Sequence, residues 1–144
     1  MIDIIIFIII IFIISFISDI VLRFISPYYI KELLPYFEHK TIIEGGLYAG
    51  LTIVIATIIM IYINKLIFGK FLPVSLKEII IFMIMAFVVG WIIDVIIMKA
   101  DIFGPSLRPF YEKYGAGFWG AASFVFALLL TIGFTFILKK FVNN

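Results

Sequence analysis

Two aspartates stand inside long apolar runs, Asp19 within residues 4–25 and Asp94 within residues 79–98. On insertion scales an ionisable side chain in such a setting costs about 2.5–3.5 kcal/mol, so it faces a bundle interior or water and finds a partner. A carboxylate there can take up a proton, a cation or a ligand, or it can neutralise a nearby base. Arg23 follows Asp19 by four residues, one turn away on the same helix face. Lys99 follows Asp94 by five, a poorer match that snorkelling can correct. Arg23 and Lys99 are therefore the candidate charge partners. Two readings stay open: a structural ion pair, and a proton, cation or ligand site.

The elements that must position these residues are membrane helices. Of 144 residues, 65% are hydrophobic and only 14% charged, with a mean hydropathy of +1.30. Soluble domains carry about 45–50% apolar and about 25% charged residues. The excess excludes a soluble enzyme and a disordered chain, and a net charge of +2 gives no reason to expect nucleic acid as a partner. With no cysteine, disulfide frameworks, thiolate metal sites and thiol catalysis are excluded as well. Spans of roughly 20 apolar residues are expected over about 4–25, 46–68, 79–98 and 116–138. Isoleucine fills 34 positions and would favour strands in water, but in lipid every backbone group must be paired within its own segment, so helices are expected. The first run has no basic leader and no small-residue cleavage site, and it reads as a retained helix rather than a signal peptide. The bias towards Ile and towards Lys over Arg fits a low-GC genome, such as that of a large DNA virus, a bacterium or a protist.

The chain also reads twice. Asp19 is followed by Pro27-Tyr28-Tyr29-Ile30-Lys31 and then Gly46-Leu47-Tyr48-Ala49-Gly50; Asp94 is followed by Pro109-Phe110-Tyr111-Glu112-Lys113 and then Gly117-Phe118-Trp119-Gly120-Ala121. The expected fold is thus an all-α membrane protein of two tandem helical hairpins, residues 1–70 and 76–144, with aromatic-rich interfacial loops. Two spans per unit bring both copies in from the same side, as parallel repeats. Each Asp lies 15 residues into its span, roughly 22 Å at about 1.5 Å per residue, so the two share a depth.

Helices in lipid associate through small residues and interhelical hydrogen bonds. Gly46 and Gly50 supply such a stripe in the second span, Ala86 and Gly90 in the third, and Gly117, Gly120, Ser123, Ala127 and Thr131 in the fourth. Close packing is one reading of these stripes and a pore lining the other. His39, the only histidine, sits in a loop among Glu38, Lys40 and Glu44, which makes no metal site. No phosphate-binding loop, dinucleotide motif or nucleophile elbow is present, so neither cofactor nor catalysis is expected. A protease dyad sharing one proton is rejected. Intramembrane aspartyl proteases carry Tyr-Asp and Gly-x-Gly-Asp, whereas Ser18 precedes Asp19 and Gly90-Trp91-Ile92-Ile93 precedes Asp94.

The layout resembles an uncharacterised family of small bacterial four-span membrane proteins, a domain of unknown function. The matching residues are Asp19 with Tyr28-Tyr29, then Gly90-Trp91-Ile92-Ile93-Asp94, and Trp119-Gly120. The chain departs from it at Ile93 and Met98, where that family carries polar residues. The resemblance implies architecture only. Lys65, Lys70, Lys77, Lys139 and Lys140 fall on the side of both termini, which is expected to be cytoplasmic in a host or viral membrane. Two functions are expected from different classes. One is a channel or carrier, open to homo-oligomerisation, that moves protons, ions or a small molecule past Asp19 and Asp94. The other is a membrane scaffold or virion component whose partners are the bilayer and other proteins.

Overall fold

The computed structural model describes residues 2–142. Its four long helices are α1 (Ile2–Tyr29), α3 (Ile42–Phe68), α4 (Leu76–Ala100) and α6 (Phe118–Val142), and two short helices, α2 (Leu34–His39) and α5 (Arg108–Tyr114), follow α1 and α4. No strand occurs among the described residues. All four long helices are long and apolar enough to cross a membrane. The chain is accordingly a multi-pass membrane protein in its overall build, with its lipid-facing surface made of exposed Ile, Leu and Phe.

Local sequence sets the helix ends. Thr41 and Ser75 each accept a hydrogen bond from the backbone N–H three residues on, that of Glu44 or Glu78 at 3.2 Å, and so begin α3 and α4. α3 stops at Gly69, whose φ of +77° needs no Cβ to be accommodated. Pro35 and Pro109 occupy the first turns of α2 and α5, where the missing N–H has no helical partner to lose. Pro27, by contrast, lies inside α1, which runs on to Tyr29. The proline placed as Pro109 is, in the first turn of a short helix, is therefore Pro35 and not Pro27. The motif shared by the two short helices is Leu-x-Pro followed by two aromatics and Glu: Leu33-Leu34-Pro35-Tyr36-Phe37-Glu38 against Leu107-Arg108-Pro109-Phe110-Tyr111-Glu112.

α1 packs chiefly on α3 and α4 on α6, while α1–α6 and α3–α4 contacts close the ring. The GxxxG of α3 takes two rings from α1: a Cβ at Gly46 would overlap Phe16, and one at Gly50 would fall 2.5 Å from Phe12. Gly90 lets α4 approach the α6 backbone at Ala121, and Gly117 takes the Trp91 ring. α1 buries Phe7, Ile11, Ser15 and Asp19 along one stripe; α4 buries Phe82, Ala86 and Gly90, with Asp94 half-buried beyond them. α3 buries Gly46, Gly50, Ala56, Thr57 and Met60, and α6 buries Gly117, Ala121, Ala127, Leu128 and Thr131. Towards the termini these stripes meet in a dry core that includes Phe7, Ile11, Met60, Phe82 and Leu128. At the other end Leu33, Tyr36, Phe37, Leu107 and Phe110 form a second core beneath the short helices.

Candidate functional site

Between the two cores the four helices enclose a cavity of about 490 Å³ that includes Asp19 and Asp94 in its walls, together with Ser15, Ser18, Thr52 and Ser123. That volume falls within the usual 300–1,000 Å³ of a small-molecule site. None of the lining residues is basic. Thus the structure brings together the two carboxylates that lie 75 positions apart in the chain (19 and 94).

Their surroundings differ. Asp94 Oδ2 accepts a hydrogen bond from the backbone N–H of Gly117 at 2.8 Å, so it caps α6 from a neighbouring helix. Gly120 stands beside it, where a Cβ would lie 2.6 Å from the Asp94 Cβ and Cγ. Asp19 also lies against a glycine, but through its carboxylate: a Cβ at Gly45 would lie 2.6 Å from Oδ2. Yet α3 begins at Ile42, ahead of the glycines, and its first turn consumes the N–H groups that would otherwise face Asp19; the Gly45 N–H donates to Thr41 O at 2.9 Å. Asp19 is 7% exposed, and its Oδ2 has no hydrogen-bond partner.

Neither charge partner expected from sequence spacing pairs with its aspartate, although Arg23 stands near Asp19: a Cβ at Gly45 would lie 2.6 Å from Asp19 Oδ2 and 3.1 Å from Arg23 Nη2. Arg23 makes no ion pair with Asp19. Its Nη1 donates to Phe37 O at 2.8 Å, its Nη2 to Thr41 O at 2.9 Å, and the guanidinium lies 5.0 Å over the Phe37 ring. Carbonyls at the end of α2 and just before α3 outcompete the carboxylate, because the planar fork reaches two of them at once. Lys99 is exposed and makes no ion pair, since five residues turn it away from the Asp94 face. Among the stripe residues, Ser123 and Gly120 line the cavity with Ala127 and Gly90, whereas Gly46, Gly50, Ala86, Gly117 and Thr131 lie in helix contacts. The Thr131 hydroxyl closes on Ala127 O within its own helix.

The cap over the cavity was not legible in sequence. Phe103 and Trp119 reach its wall, and above them Tyr36, Phe37, Phe110 and Tyr111 pack edge to edge. Burial pushes the Tyr36 hydroxyl far above the ordinary phenol range, and the nearby charge of Asp19 adds to the effect. Burial does the same to Tyr111, with Asp94 contributing. Both phenols therefore stay protonated, as neutral O–H groups near the carboxylates. An ion pair straps the cap: Lys113 Nζ donates to Glu32 Oε1 at 2.7 Å, joining α5 to the turn after α1. That hydrogen bond is the first cause of a lowered Glu32 pKa and a raised Lys113 pKa. The repeated Leu-x-Pro-aromatic-aromatic-Glu motif was the available signal for this cap, and it was masked by the nearer Pro27-Tyr28-Tyr29.

The opening of the cavity is lateral. Its α1 and α6 lining residues Ile17, Ser18, Val21, Ser123 and Phe126 are exposed, whereas those from α3 and α4 are buried or half-buried. No group of three or more His, Cys, Asp and Glu side chains that could hold a metal ion occurs among the described residues. Comparison of the chain with family models, with curated proteins and with solved structures returns no match.

Proposed function

We propose that the protein is a small membrane carrier that binds a cation or proton between Asp19 and Asp94. The observation that carries this reading is the acidic cavity itself, with both carboxylates in its wall, no basic lining residue, and one buried carboxylate oxygen left without a donor. A buried acceptor without a partner is costly and invites a proton or a cation to satisfy it. A carrier fits better than an open channel, because Phe7, Met60, Phe82 and Leu128 plug the bundle on the terminal side of the cavity. Passage then requires those side chains to part.

We read the two halves as tandem copies. Phe7, Ile11, Ser15 and Asp19 precede Phe82, Ala86, Gly90 and Asp94 by 75 residues each, and Gly46, Gly50, Ala56, Thr57 and Met60 precede Gly117, Ala121, Ala127, Leu128 and Thr131 by 71 each. One register of burial in both halves supports parallel repeats with a short indel between the spans. The start of α1, the end of α6 and Lys65, Lys70, Lys77, Lys139 and Lys140 share one end of the bundle, which we place in the cytoplasm.

The test is reconstitution of the purified chain in liposomes with proton and monovalent-cation flux recorded. Wild type conducts, and Asp19→Asn and Asp94→Asn each lose at least ten-fold of that flux while remaining folded. Flux absent from the wild type, with the chain monodisperse and helical, leaves a scaffold role as the better account.

A further inference from the structure

A second groove continues from the mouth of the acidic cavity. It has a volume of about 410 Å³, runs between α1 and α6, and shares Ile17 and Ser18 with the cavity. Its walls are otherwise apolar: Ile10, Ile13 and Ile14 on one side, Leu130, Phe134 and Leu138 on the other. From Ser18 to Ile10 it follows eight residues of α1 (18 to 10), roughly 12 Å at about 1.5 Å per residue. Ile13, Ile17 and Phe134 are about half exposed, so the groove faces the hydrocarbon of the bilayer. An acidic pocket at one end and an apolar, lipid-facing trough at the other form one amphipathic site.

The geometry points to a cationic amphiphile as the ligand: a protonated amine or quaternary ammonium headgroup between Asp19 and Asp94, with its single hydrocarbon chain lying along α1 and α6. Charge complementarity selects the head. Two carboxylates without a basic side chain in the lining repel a phosphate or a fatty-acid carboxylate and attract an ammonium. Lateral entry suits the tail, which never has to leave hydrocarbon. The groove fixes the path by which the chain leaves the headgroup, so filling it displaces the headgroup from the aspartates. Chain length beyond the groove adds little affinity, since lipid is as apolar as the groove, and the discrimination among amphiphiles lies in the headgroup. This inference rests on the carrier reading only in taking the two aspartates as a cation site.

The experiment uses the full chain in phosphatidylcholine nanodiscs and an alkyltrimethylammonium brominated on the carbons next to its headgroup, where the bromine quenches tryptophan on contact; Trp119 lines the cavity that takes the headgroup. The expected result is saturable quenching at one amphiphile per chain, at least ten-fold tighter than for a brominated fatty acid of the same length. Asp19→Asn weakens it at least ten-fold. Ile13→Phe with Leu130→Phe, both on the exposed walls of the groove, weakens it comparably and keeps the core intact. That double variant decides the matter if Asp19→Asn fails to fold. Quenching that rises linearly without saturation, equal binding of the fatty acid, or wild-type binding by the filled groove each overturns the proposal. Ion flux on the same preparation separates the two readings. Asp-dependent flux without saturable amphiphile binding removes the amphiphile and keeps the carrier; saturable, Asp-dependent binding without flux does the reverse.

Discussion

Asp94 accepts the backbone N–H of Gly117 at 2.8 Å and thereby caps a helix to which it does not belong. A half-buried carboxylate is given a structural partner, and α6 is given a start that its own sequence lacks. Asp19 also lies against a glycine but lacks that donor, because α3 carries an extra turn ahead of its glycines. Of the two aspartates, one is held by a backbone donor from a neighbouring helix and the other has a carboxylate oxygen without one.

Removing the cap exposes this difference. Asp94→Ala leaves the Gly117 N–H unpaired and is expected to lower stability by about 0.5–2 kcal/mol, the range for lost helix caps. Asp94→Asn keeps an acceptor oxygen and loses less. Thermal unfolding in detergent, followed by circular dichroism, checks the order of the two variants; equal losses contradict the capping role.

Glycines beside the aspartates are sensitive to added volume. At Gly120 a methyl group would lie 2.6 Å from Asp94 Cβ and Cγ, so Gly120→Ala is expected to cost about 1–3 kcal/mol by overpacking. Gly133 has nothing within 4 Å, and Gly133→Ala is expected to stabilise α6 by about 0.5–1 kcal/mol through its helix preference. Opposite signs for two Gly→Ala changes in one helix are the measurable outcome.

Arg23 serves the cap rather than the carboxylate. Arg23→Lys keeps the charge but cannot span Phe37 O and Thr41 O together, and a loss of about 1.5–3 kcal/mol is expected from hydrogen bonds to a charged group. Hydrogen exchange should rise in α2 and the first turn of α3 before it rises elsewhere. Because Arg23 makes its hydrogen bonds to Phe37 O and Thr41 O rather than to Asp19, adding Arg23→Gln to Asp19→Asn should destabilise further rather than restore.

The Glu32–Lys113 pair makes the cap sensitive to pH and salt. The folded pKa of Glu32 is lowered, so its contribution is present above the ordinary carboxylate range, about 4.3, and is lost as pH falls through the lowered value. The folded pKa of Lys113 is raised, so its contribution is present below the ordinary lysine range, about 10.4, and is lost as pH rises through the raised value. Protection of α5 amides should therefore hold between those ranges and fall on either side. Glu32→Lys should loosen α5, and adding Lys113→Glu should restore it; both responses should shrink at high salt, since the pair is exposed to solvent.

The long helices were legible from residue type alone. Without water in the hydrocarbon, an apolar run of sufficient length has one way to pair its backbone, so hydropathy located all four spans. Their ends shifted by up to four residues, as at Ile42 against an expected 46, because Thr41 and Ser75 caps extend helices beyond the apolar stretch. That Asp19 and Asp94 each stand well inside a long helix also followed from counting along the chain. What lies beside them did not. Arg23 and Lys99 were the nearest charges along the chain, yet one is claimed by carbonyls that only the fold of α2 brings within reach, and the other points away. The short helices, the aromatic cap and the lateral mouth arise from contacts between residues distant in sequence, such as Glu32 with Lys113 and Asp94 with Gly117. Hydropathy is a property of single residues and their neighbours in the chain; a cavity is a property of the spaces between helices. The sequence by itself determined that four long apolar helices form and that two of them carry a carboxylate within their apolar run. Only the tertiary structure decided that both carboxylates face one cavity, and that the oxygen of Asp19 was left without a partner.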